Sequence, residues 1–391
     1  LMKSKKRICV ITSSRADFGL LKELLLKLDS IFNLKLIVTG SHLSKQFGYT
    51  KNDIIKNKIP IYKSVKIFEK PSKKKFDETY ILNTISKTII KFDKIFKKVD
   101  PEIIIVLGDR YEIFACTIAA TVNRKLLAHI HGGETTTNAL DDSFRHSISQ
   151  MSQIHFVAAK KYYDRVVQLG KHPSNVHLVG GLGPSNIQKI KIKKRDLLSK
   201  DLNFDLTKKY AIIIYHPETK QKNYGIDGLK SILKVLSQFK DLVIIGIYPN
   251  ADTSNEKFIK LIIKNNVCDI KLFKSIDYLN YISLLKHSEF LIGNSSSGII
   301  EAPSLKVPTI NIGNRQHGRL RAKSIIDVDY SQRNIESAIN KVLSKKFIKN
   351  INNVSNPYSH GNTINKIIKV LKKNISYGMI DNMEFFNLKI K

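Results

Sequence analysis

The chain has 391 residues, and its 66 lysines and arginines against 33 aspartates and glutamates give a formal net charge of +33. This length exceeds what one hydrophobic core usually serves, so we predict two domains of ordinary size. The basic residues are spread through the predicted helices and loops and form no arginine-rich arm, which argues against a nucleic-acid partner but leaves a positive field that attracts anionic substrates.

The first half alternates short, apolar, β-branched runs with amphipathic helical patterns. Helices are predicted at Leu20–Leu28 and Ile81–Val99, where apolar residues recur every three or four positions. Because continuous apolar strands are buried on both faces, these runs predict a parallel sheet covered by crossover helices. The predicted strands are Arg7–Thr12, Leu36–Thr39, Ser64–Phe68, Glu102–Leu107, Leu127–Ile130, His155–Ala158 and Val176–Val179.

The second half repeats the alternation and predicts a second parallel sheet of the same design. Its predicted strands are Tyr210–Tyr215, Leu242–Ile247, Ile270–Phe273, Phe290–Ile292, Thr309–Ile312 and Ile325–Val328. Its predicted helices are Leu229–Phe239, Glu256–Asn265, Tyr278–Lys286, Ile299–Ser304 and Ile335–Leu343.

The lysine-rich segment Lys189–Lys208 has the composition of a linker with a short helix. We therefore expect an α/β protein with two doubly wound, Rossmann-like domains, residues 1–188 and 189–374, facing one another across a cleft, and a tail at 375–391. The late amphipathic helix Ile364–Leu371 is a candidate to return and pack on the first domain.

Cysteine usage and hydropathy set the expected compartment. Cys9, Cys116 and Cys268 lie in apolar runs without metal-ligand spacing, which is typical of small buried residues in a reducing compartment. No apolar run approaches the length of a membrane span and the amino terminus lacks a signal-peptide core, so we expect a cytoplasmic protein without a membrane partner.

The stretch from Leu126 to His146 is the most informative part of the sequence. It opens as an apolar strand, breaks at Gly132-Gly133 and is dense in acids and histidines. Titratable groups at the carboxyl ends of parallel strands are where an open α/β sheet binds its ligand. We therefore predict an active-site wall formed by Asp109, His129, His131, Glu134, Asp141, Asp142, Arg145 and His146.

Two strand-to-helix turns are candidate phosphate sites. Ser13-Ser14-Arg15 precedes a helix whose first amides and positive dipole end suit an anion, unless this is an ordinary capped helix with a solvated Asp17. Asn294–Gly298 repeats the pattern, and Glu301 one turn later is placed to accept from a ribose diol. The alternative for this turn is a serine N-cap with a capping-box glutamate.

Two further strand ends carry charged or titratable residues. Asp109 is expected to face the cleft and Arg110 to reach a phosphate, and the alternative is an ion pair within the domain. His216 follows a strand of the second domain; a lone histidine there is more often structural, but its place opposite the acids favours a catalytic role. The absence of G-x-G-x-x-G after the first strand argues against NAD, and neither metal nor other cofactor is expected.

Taken together, these residues resemble the UDP-N-acetylglucosamine 2-epimerase family, and most of all its hydrolysing branch. The resemblance runs from Arg7 to about Tyr358 and rests on eight motifs in order: SSRADFG, VTGSHL, VLGDRYEIF, HIHGGE, DDSFRHSISQMS, YHPET, GNSSSGIIE and INIGNRQHGR. It implies a fold like that of the GT-B glycosyltransferases, with UDP held mainly by the second domain.

The resemblance also implies residue roles. Phosphate- or substrate-side and nucleotide contacts would be Arg15, Arg110, Ser295, Ser296, Glu301 and Arg315, and catalytic groups Asp109, Asp141 and His216. This chain has His131 where many relatives carry a catalytic glutamate, and Glu134 lies three positions further on. Either His131 takes over proton transfer or Glu134, Asp141 and Asp109 share it.

The activity implied is release of UDP and N-acetylmannosamine, or its 2,4-diacetamido-trideoxy analogue, by elimination to a glycal and hydration. Alternatives are a non-hydrolysing 2-epimerase, a GT-B glycosyltransferase, or a basic nucleic-acid-binding protein. The sugar and the nucleotide (UDP or GDP) are open at this stage. Relatives suggest a homo-oligomer, a dimer or a tetramer.

Overall fold

The computed structural model describes residues 5–68, 77–137, 139–218, 220–221, 223–248, 255–264, 270–377 and 384–388. The chain divides into two compact units. The first unit consists of Leu1–Glu134, Asp141–Asn186 and His360–Lys391, and the second of Thr135–Leu140 and Ile187–Ser359. The six residues Thr135–Leu140 therefore belong to the second unit although both flanking segments belong to the first.

The first unit is built on a seven-stranded parallel sheet in the order β3-β2-β1-β4-β5-β6-β7. Its strands are β1 (Arg7–Thr12), β2 (Asn33–Val38), β3 (Ile61–Ser64), β4 (Ile103–Leu107), β5 (Leu127–Ile130), β6 (Ile154–Val157) and β7 (Val176–Leu178). Its helices are α1 (Arg15–Ile31), α2 (Lys51–Lys56), α3 (Glu78–Val99), α4 (Tyr111–Val122), α5 (Leu140–Met151), α6 (Lys160–Gln168) and α7 (Leu182–Ile187).

Apolar side chains on the two faces of this sheet form two separate cores. Ile8 and Val10 of β1 point into one core, and Cys9 and Ile11 into the other, because successive residues of a strand face opposite sides. The last helix of the chain, Thr363–Tyr377, places Ile367 in the first of these cores, beside α1.

The second unit has a six-stranded parallel sheet in the order β10-β9-β8-β11-β12-β13. Its strands are β8 (Tyr210–Ile214), β9 (Val243–Ile247), β10 (Ile270–Phe273), β11 (Leu291–Gly293), β12 (Thr309–Ile312) and β13 (Ile325–Val328). Its helices are α8 (Arg195–Leu202), α9 (Ile226–Leu236), α10 (Asn255–Lys264), α11 (Tyr278–His287), α12 (Ser296–Ile300), α13 (Gln332–Leu343) and α14 (Lys345–Ile351), and the helix Thr363–Tyr377 of the first unit is α15.

Both sheets are doubly wound, which confirms the predicted fold class. Each sheet reverses its winding once, between β1 and β4 in the first unit and between β8 and β11 in the second. In open α/β sheets the ligand crevice lies at this switch point, outside the carboxyl ends of the strands. The turns after β1, β4, β8 and β11 are therefore the places to look for a site.

Several predicted elements have other bounds in the structure, and the strand predicted at Ser64–Phe68 is one of them. The predicted strand Ser64–Phe68 is β3 at Ile61–Ser64, and Val65, Ile67 and Phe68 follow it as buried residues outside the sheet. β3 pairs with β2 across a register shift, and the Val65 N–H still donates to the Val38 carbonyl at 2.8 Å. The side chains of Val65, Ile67 and Phe68 then join the core that α3 lines. The burial that the pattern detected is real, but it is not strand burial.

The predicted helix Ile299–Ser304 begins three residues earlier, at Ser296, and ends at Ile300. Ala302–Leu305 then forms a 3₁₀ turn, since Pro303 has no N–H with which to continue an α-helix. Cys9 and Cys116 are buried as free thiols, and Cys268 lies outside the described residues, as does Asn265 of a predicted helix. Across the described ranges, no helix is both long and apolar enough to cross a bilayer.

Candidate active site

The turn after β1 carries a half-buried arginine and a buried acid. Ser14 caps α1 and Arg15 begins the helix, half-buried. Asp17 accepts hydrogen bonds from the Ser13 N–H at 3.3 Å and its hydroxyl at 2.8 Å. Burial raises the pKa of Asp17, and the nearby Arg110 charge opposes this. The capped helix of the alternative reading is present, but its acid is buried, not solvated.

Arg110, after β4, forms a buried ion pair with Glu112. Its Nε lies 3.2 Å from both carboxylate oxygens, and both side chains are almost fully buried. Burial raises the pKa of Glu112 and the Arg110 guanidinium lowers it. The ion pair within the domain that the sequence left open for Arg110 is therefore present, and a role toward phosphate stays a prediction.

His131 directly follows β5 and is held by contacts at both ring nitrogens. Its Nδ1 lies 3.0 Å from the Glu134 carboxylate, and its Nε2 accepts from the Leu182 N–H at 3.3 Å. Because a ring nitrogen that accepts carries no proton, Nδ1, which faces Glu134, is the nitrogen that bears the ring proton in this arrangement. Its backbone φ of 65° lies in the left-handed region, where a non-glycine residue is uncommon. The structure thus brings together His131 and Glu134, which the sequence offered as alternatives for proton transfer.

Arg145 of α5 connects this pair to Asp109. Its Nη1 donates to the His131 carbonyl at 2.9 Å, and its Nη2 donates to the Asp109 carboxylate. Asp141, half-buried in the first turn of the same helix, lies four residues before Arg145 and hence on the same helical face. The sequence placed Arg145 in the dense cluster without a role; its i, i+4 spacing from Asp141 was the available signal.

His129, one of the residues predicted for the active-site wall, instead links two backbone segments of the first unit. It is fully buried, with Nε2 2.7 Å from the Gly108 carbonyl and Nδ1 3.0 Å from the Ser149 hydroxyl. Burial lowers its pKa to about 3, so the ring is neutral. It ties β5 to the turn that carries Asp109.

In the second unit, Asn294 ties together the turns after β8 and β11. Its side-chain oxygen accepts from the His216 N–H at 2.7 Å and its amide nitrogen donates to the His216 carbonyl at 2.9 Å. The buried His216 is thereby fixed beside the serine-rich turn. The sequence placed Asn294 in a motif, but only the structure shows that its side chain links the two turns.

The serine-rich turn combines a helix cap with a buried carboxylate. The Ser295 hydroxyl accepts from the Ser297 N–H at 3.3 Å, so it caps α12, while Ser296 is half-buried at the first helical position. Glu301 is the C-cap residue of α12, and its N–H donates to the Ser297 carbonyl. Its carboxylate accepts from the hydroxyls of Ser297 at 2.5 Å and Tyr278 at 3.0 Å. A role of this carboxylate toward ribose stays a prediction.

Arg315 and Gln316 bind the same turn from the loop after β12. Both donate to the Asn294 carbonyl, at 3.3 Å and 2.7 Å.

Glu218, which the sequence left without a role, is fully buried and accepts from the Tyr330 hydroxyl and the Gln221 amide, both at 2.7 Å. It stabilises the segment that follows His216. The described residues contain no group of three or more histidine, cysteine or acidic side chains placed to hold a metal ion.

Two doubly wound units with titratable or hydroxyl groups at each switch point define a two-domain α/β enzyme. The family model of UDP-N-acetylglucosamine 2-epimerase matches residues 25–372. The chain belongs to this family, which confirms the resemblance seen in its motifs.

Two relatives match nearly end to end. The chain is 36% identical over 395 residues to the Polysialic acid biosynthesis protein P7 of Escherichia coli, covering 98% of each chain. It is also 36% identical over 391 residues to the GDP/UDP-N,N'-diacetylbacillosamine 2-epimerase (hydrolyzing) of Campylobacter jejuni, covering 98% of this chain and 100% of that one. The solved UDP-GlcNAc 2-epimerase of Neisseria meningitidis shares the fold, with a TM-score of 0.78 at 17% identity over 94% of this chain and 100% of that one.

Proposed function

We propose that this chain is a hydrolysing 2-epimerase of a UDP-linked 2-acetamido sugar. The observation that carries the proposal is the group formed by Asp109, His131 and Glu134 around Arg145, in a chain 36% identical to a hydrolysing 2-epimerase. A carboxylate and an imidazole held together supply the base and the acid that inversion at a carbon centre requires.

The chemical difficulty is the C2 proton, which no adjacent carbonyl acidifies. A base of the first unit removes this proton while the C1–O bond breaks and its electron pair leaves with UDP, so that a C1=C2 double bond forms. Water then adds its hydroxyl to C1 while an acid returns a proton to C2 from the opposite face. The balance is UDP-sugar plus water giving UDP and the free 2-epimeric sugar.

We assign these proton transfers to Asp109, His131, Glu134 and Asp141. The Arg145 guanidinium donates to the Asp109 carboxylate, and Nδ1 of His131 lies 3.0 Å from the Glu134 carboxylate. General acid–base help of this kind is worth about a hundred- to ten-thousand-fold in rate. We assign to His216 an assisting role from the second unit.

The departing UDP needs positive, preorganised donors. We assign Ser295, Ser296 and Arg315 to the diphosphate and Glu301 to the ribose. The two serines follow β11 at the switch point of the second sheet, Arg315 donates to the same turn, and Glu301 accepts from two hydroxyls. Arg15 and Arg110 are the proposed contacts from the first unit. Because Arg110 already pairs with Glu112, it contacts the substrate only if its guanidinium binds Glu112 and the substrate at once.

Incubation with UDP-N-acetylglucosamine and with UDP-2,4-diacetamido-2,4,6-trideoxyglucose in D₂O, followed by proton NMR, tests the proposal and selects the sugar. We expect equal amounts of UDP and free 2-epimeric sugar, with deuterium at C2. UDP-glucose, which lacks the acetamido group, is the matched control and is expected to stay intact. An intact UDP-linked epimer would indicate the non-hydrolysing reaction, and turnover only with an added acceptor a glycosyltransferase.

We also propose that the enzyme works in the cytoplasm as a homo-oligomer. The free thiols support a reducing compartment, and the relatives suggest the assembly. Sedimentation velocity that shows a monomer at micromolar concentration would contradict the assembly.

A further inference from the structure

The peptide between two proposed catalytic acids belongs to the second unit. Glu134 and Asp141 lie in the first unit, while the intervening Thr135–Leu140 is assigned to the second. Because Glu134 and Asp141 are the immediate chain neighbours of this segment, whatever fixes the segment also restricts both acids.

Arg319 holds the first two residues of the segment Thr135–Leu140. The guanidinium Nε donates to the Thr135 carbonyl at 2.7 Å, and Nη2 donates to the Thr136 hydroxyl at 3.4 Å. Arg319 is 7% exposed and Thr136 is 3% exposed, so the hydrogen bond to the Thr136 hydroxyl is buried, while the bond to the half-buried Thr135 is partly so. A hydrogen bond from a charged donor is stronger than a neutral one.

The loop around Arg319 is shaped to receive this segment. The hydroxyls of Thr135 and Thr137 donate to the His317 carbonyl at 3.0 Å and 3.3 Å. Gly318 has a φ of +82°, and a Cβ at that position would lie 2.9 Å from the Thr135 hydroxyl. A side chain there would therefore meet both backbone strain and a steric clash.

The same loop reaches the serine-rich turn at its other end. Gln316 donates to the Asn294 carbonyl at 2.7 Å, and Arg321 donates to the carbonyls of Gln316 at 2.9 Å and Arg319 at 3.0 Å. One hydrogen-bonded path within the second unit thus runs from the turn before Ser295 to the peptide between the two acids.

We propose that Arg319 is a positioning residue that holds Thr135 and Thr136 so that Glu134 and Asp141 are set for proton transfer. The inference rests on the proposed function and adds to it a residue that positions the peptide between the two acids. Displacement of a reacting group by about 1 Å costs on the order of a hundredfold in rate. Nucleotide affinity should change far less, because the guanidinium of Arg319 donates to the peptide between the two acids.

The test compares Arg319→Ala, Arg319→Lys and Thr136→Val with the matched control Arg195→Ala. Arg195 also donates to two backbone carbonyls of the second unit, those of Leu206 and His287, but lies outside the loop. We expect Arg319→Ala to lower kcat about a hundredfold while the calorimetric Kd for UDP changes less than threefold. Lysine should restore part of kcat, and Arg195→Ala should leave it near wild type.

Amide hydrogen exchange over residues 134–141 gives a second readout that needs no turnover. We expect faster exchange in Arg319→Ala and Thr136→Val than in Arg195→Ala and the wild type. Unchanged exchange, or a loss of UDP affinity equal to the loss of kcat, would overturn the inference. If Arg319→Ala does not fold, Arg319→Lys and Thr136→Val decide the question. A wild-type enzyme without turnover on any UDP-sugar would overturn the proposed function instead, and the exchange data would still decide whether Arg319 holds the segment.

Discussion

Arg145 donates to the carboxylate of Asp109, which lies 36 residues earlier in the chain. The arginine is buried and the carboxylate is only one-fifth exposed, so water screens the pair weakly. The other arm of Arg145 fixes the His131 carbonyl. One guanidinium thus sets the separation between a proposed acid and the histidine at the end of the neighbouring strand.

Asp109→Asn should remove turnover while UDP binding stays nearly normal. The amide keeps the shape of the carboxylate but is a far weaker proton acceptor, so we expect kcat to fall about a hundred- to ten-thousand-fold. Asp141→Asn should behave in the same way. Steady-state kinetics and UDP calorimetry measure both effects, and Asp164→Asn, in an exposed pair with Lys160, is the control. Wild-type turnover in either site variant would remove that residue from the catalytic set.

Arg145→Lys should lower kcat by about tenfold or more, and Arg145→Gln should lower it further. A lysine keeps the charge but lacks the planar fork that reaches Asp109 and the His131 carbonyl together. UDP affinity should stay within about threefold, since the arginine belongs to the first unit. Equal kcat in the wild type and both variants would show that Asp109 keeps its position without Arg145.

Ser296→Ala combined with Glu301→Ala should weaken UDP binding by about ten- to a hundredfold. Removing a charged acceptor at a buried site costs about 1.5–3 kcal/mol, and a factor of ten corresponds to about 1.4 kcal/mol. Tyr278→Phe is the matched control, because it removes one donor to Glu301 and keeps the carboxylate. Calorimetry that gives the same Kd for the double variant and the wild type would exclude this turn as the nucleotide site.

Arg110→Ala should destabilise the first unit by about 3–5 kcal/mol, because it leaves the buried Glu112 and Asp17 carboxylates without their cation. Arg7→Ala removes an exposed pair with Asp100 and should cost less than about 1 kcal/mol. Urea unfolding of both variants measures the difference. If Arg110→Ala unfolds like the wild type but binds UDP much more weakly, the phosphate role prevails over the ion pair.

The first unit should lose stability on acidification below about pH 6.5. Burial lowers the pKa of His42 and His129 to about 3 and that of His155 well below its usual value. Below about pH 6.5 these histidines take up protons in the unfolded chain but stay neutral in the native chain. The free energy of unfolding is therefore highest above that pH and decreases as pH falls, by up to about 1.4 kcal/mol per pH unit for each histidine.

His155→Leu removes one of these groups and should reduce the difference in unfolding free energy between pH 7 and pH 5. His360→Asn, an exposed histidine, is the control and should leave that difference unchanged. Urea titrations at the two pH values provide the measurement. An identical pH dependence in wild type and His155→Leu would show that burial of this ring is not linked to acid stability.

The fold and the family followed from the sequence to a large extent. Runs such as Glu102–Leu107 are apolar at nearly every position, and that continuity belongs to parallel strands covered on both faces. At Val65–Phe68 the apolar pattern predicted a strand; the burial of the apolar side chains was correct, but the backbone there is not a strand. Burial is a property of the side chain, whereas a strand also needs a neighbour with which to pair.

The sequence proposed candidate site residues by type and by motif, but it did not give the contacts of their side chains. The sequence grouped Asp109, His129, His131 and Arg145 without distinguishing the buried His129, held between Gly108 and Ser149, from His131 beside Glu134. Nothing in local spacing separates these two histidines, since they are two residues apart on the same strand end.

What the sequence alone determined was local: the periodicity of each element, the order of eight motifs, and therefore the fold class and the family. The tertiary structure decided which charges meet, because those pairs join residues far apart in the chain. Arg145 reaches Asp109 across 36 residues and Arg319 reaches Thr135 across 184. Periodicity reports a few turns of helix or strand, so only the folded backbone brings such groups within the 3 Å or so over which a hydrogen bond acts.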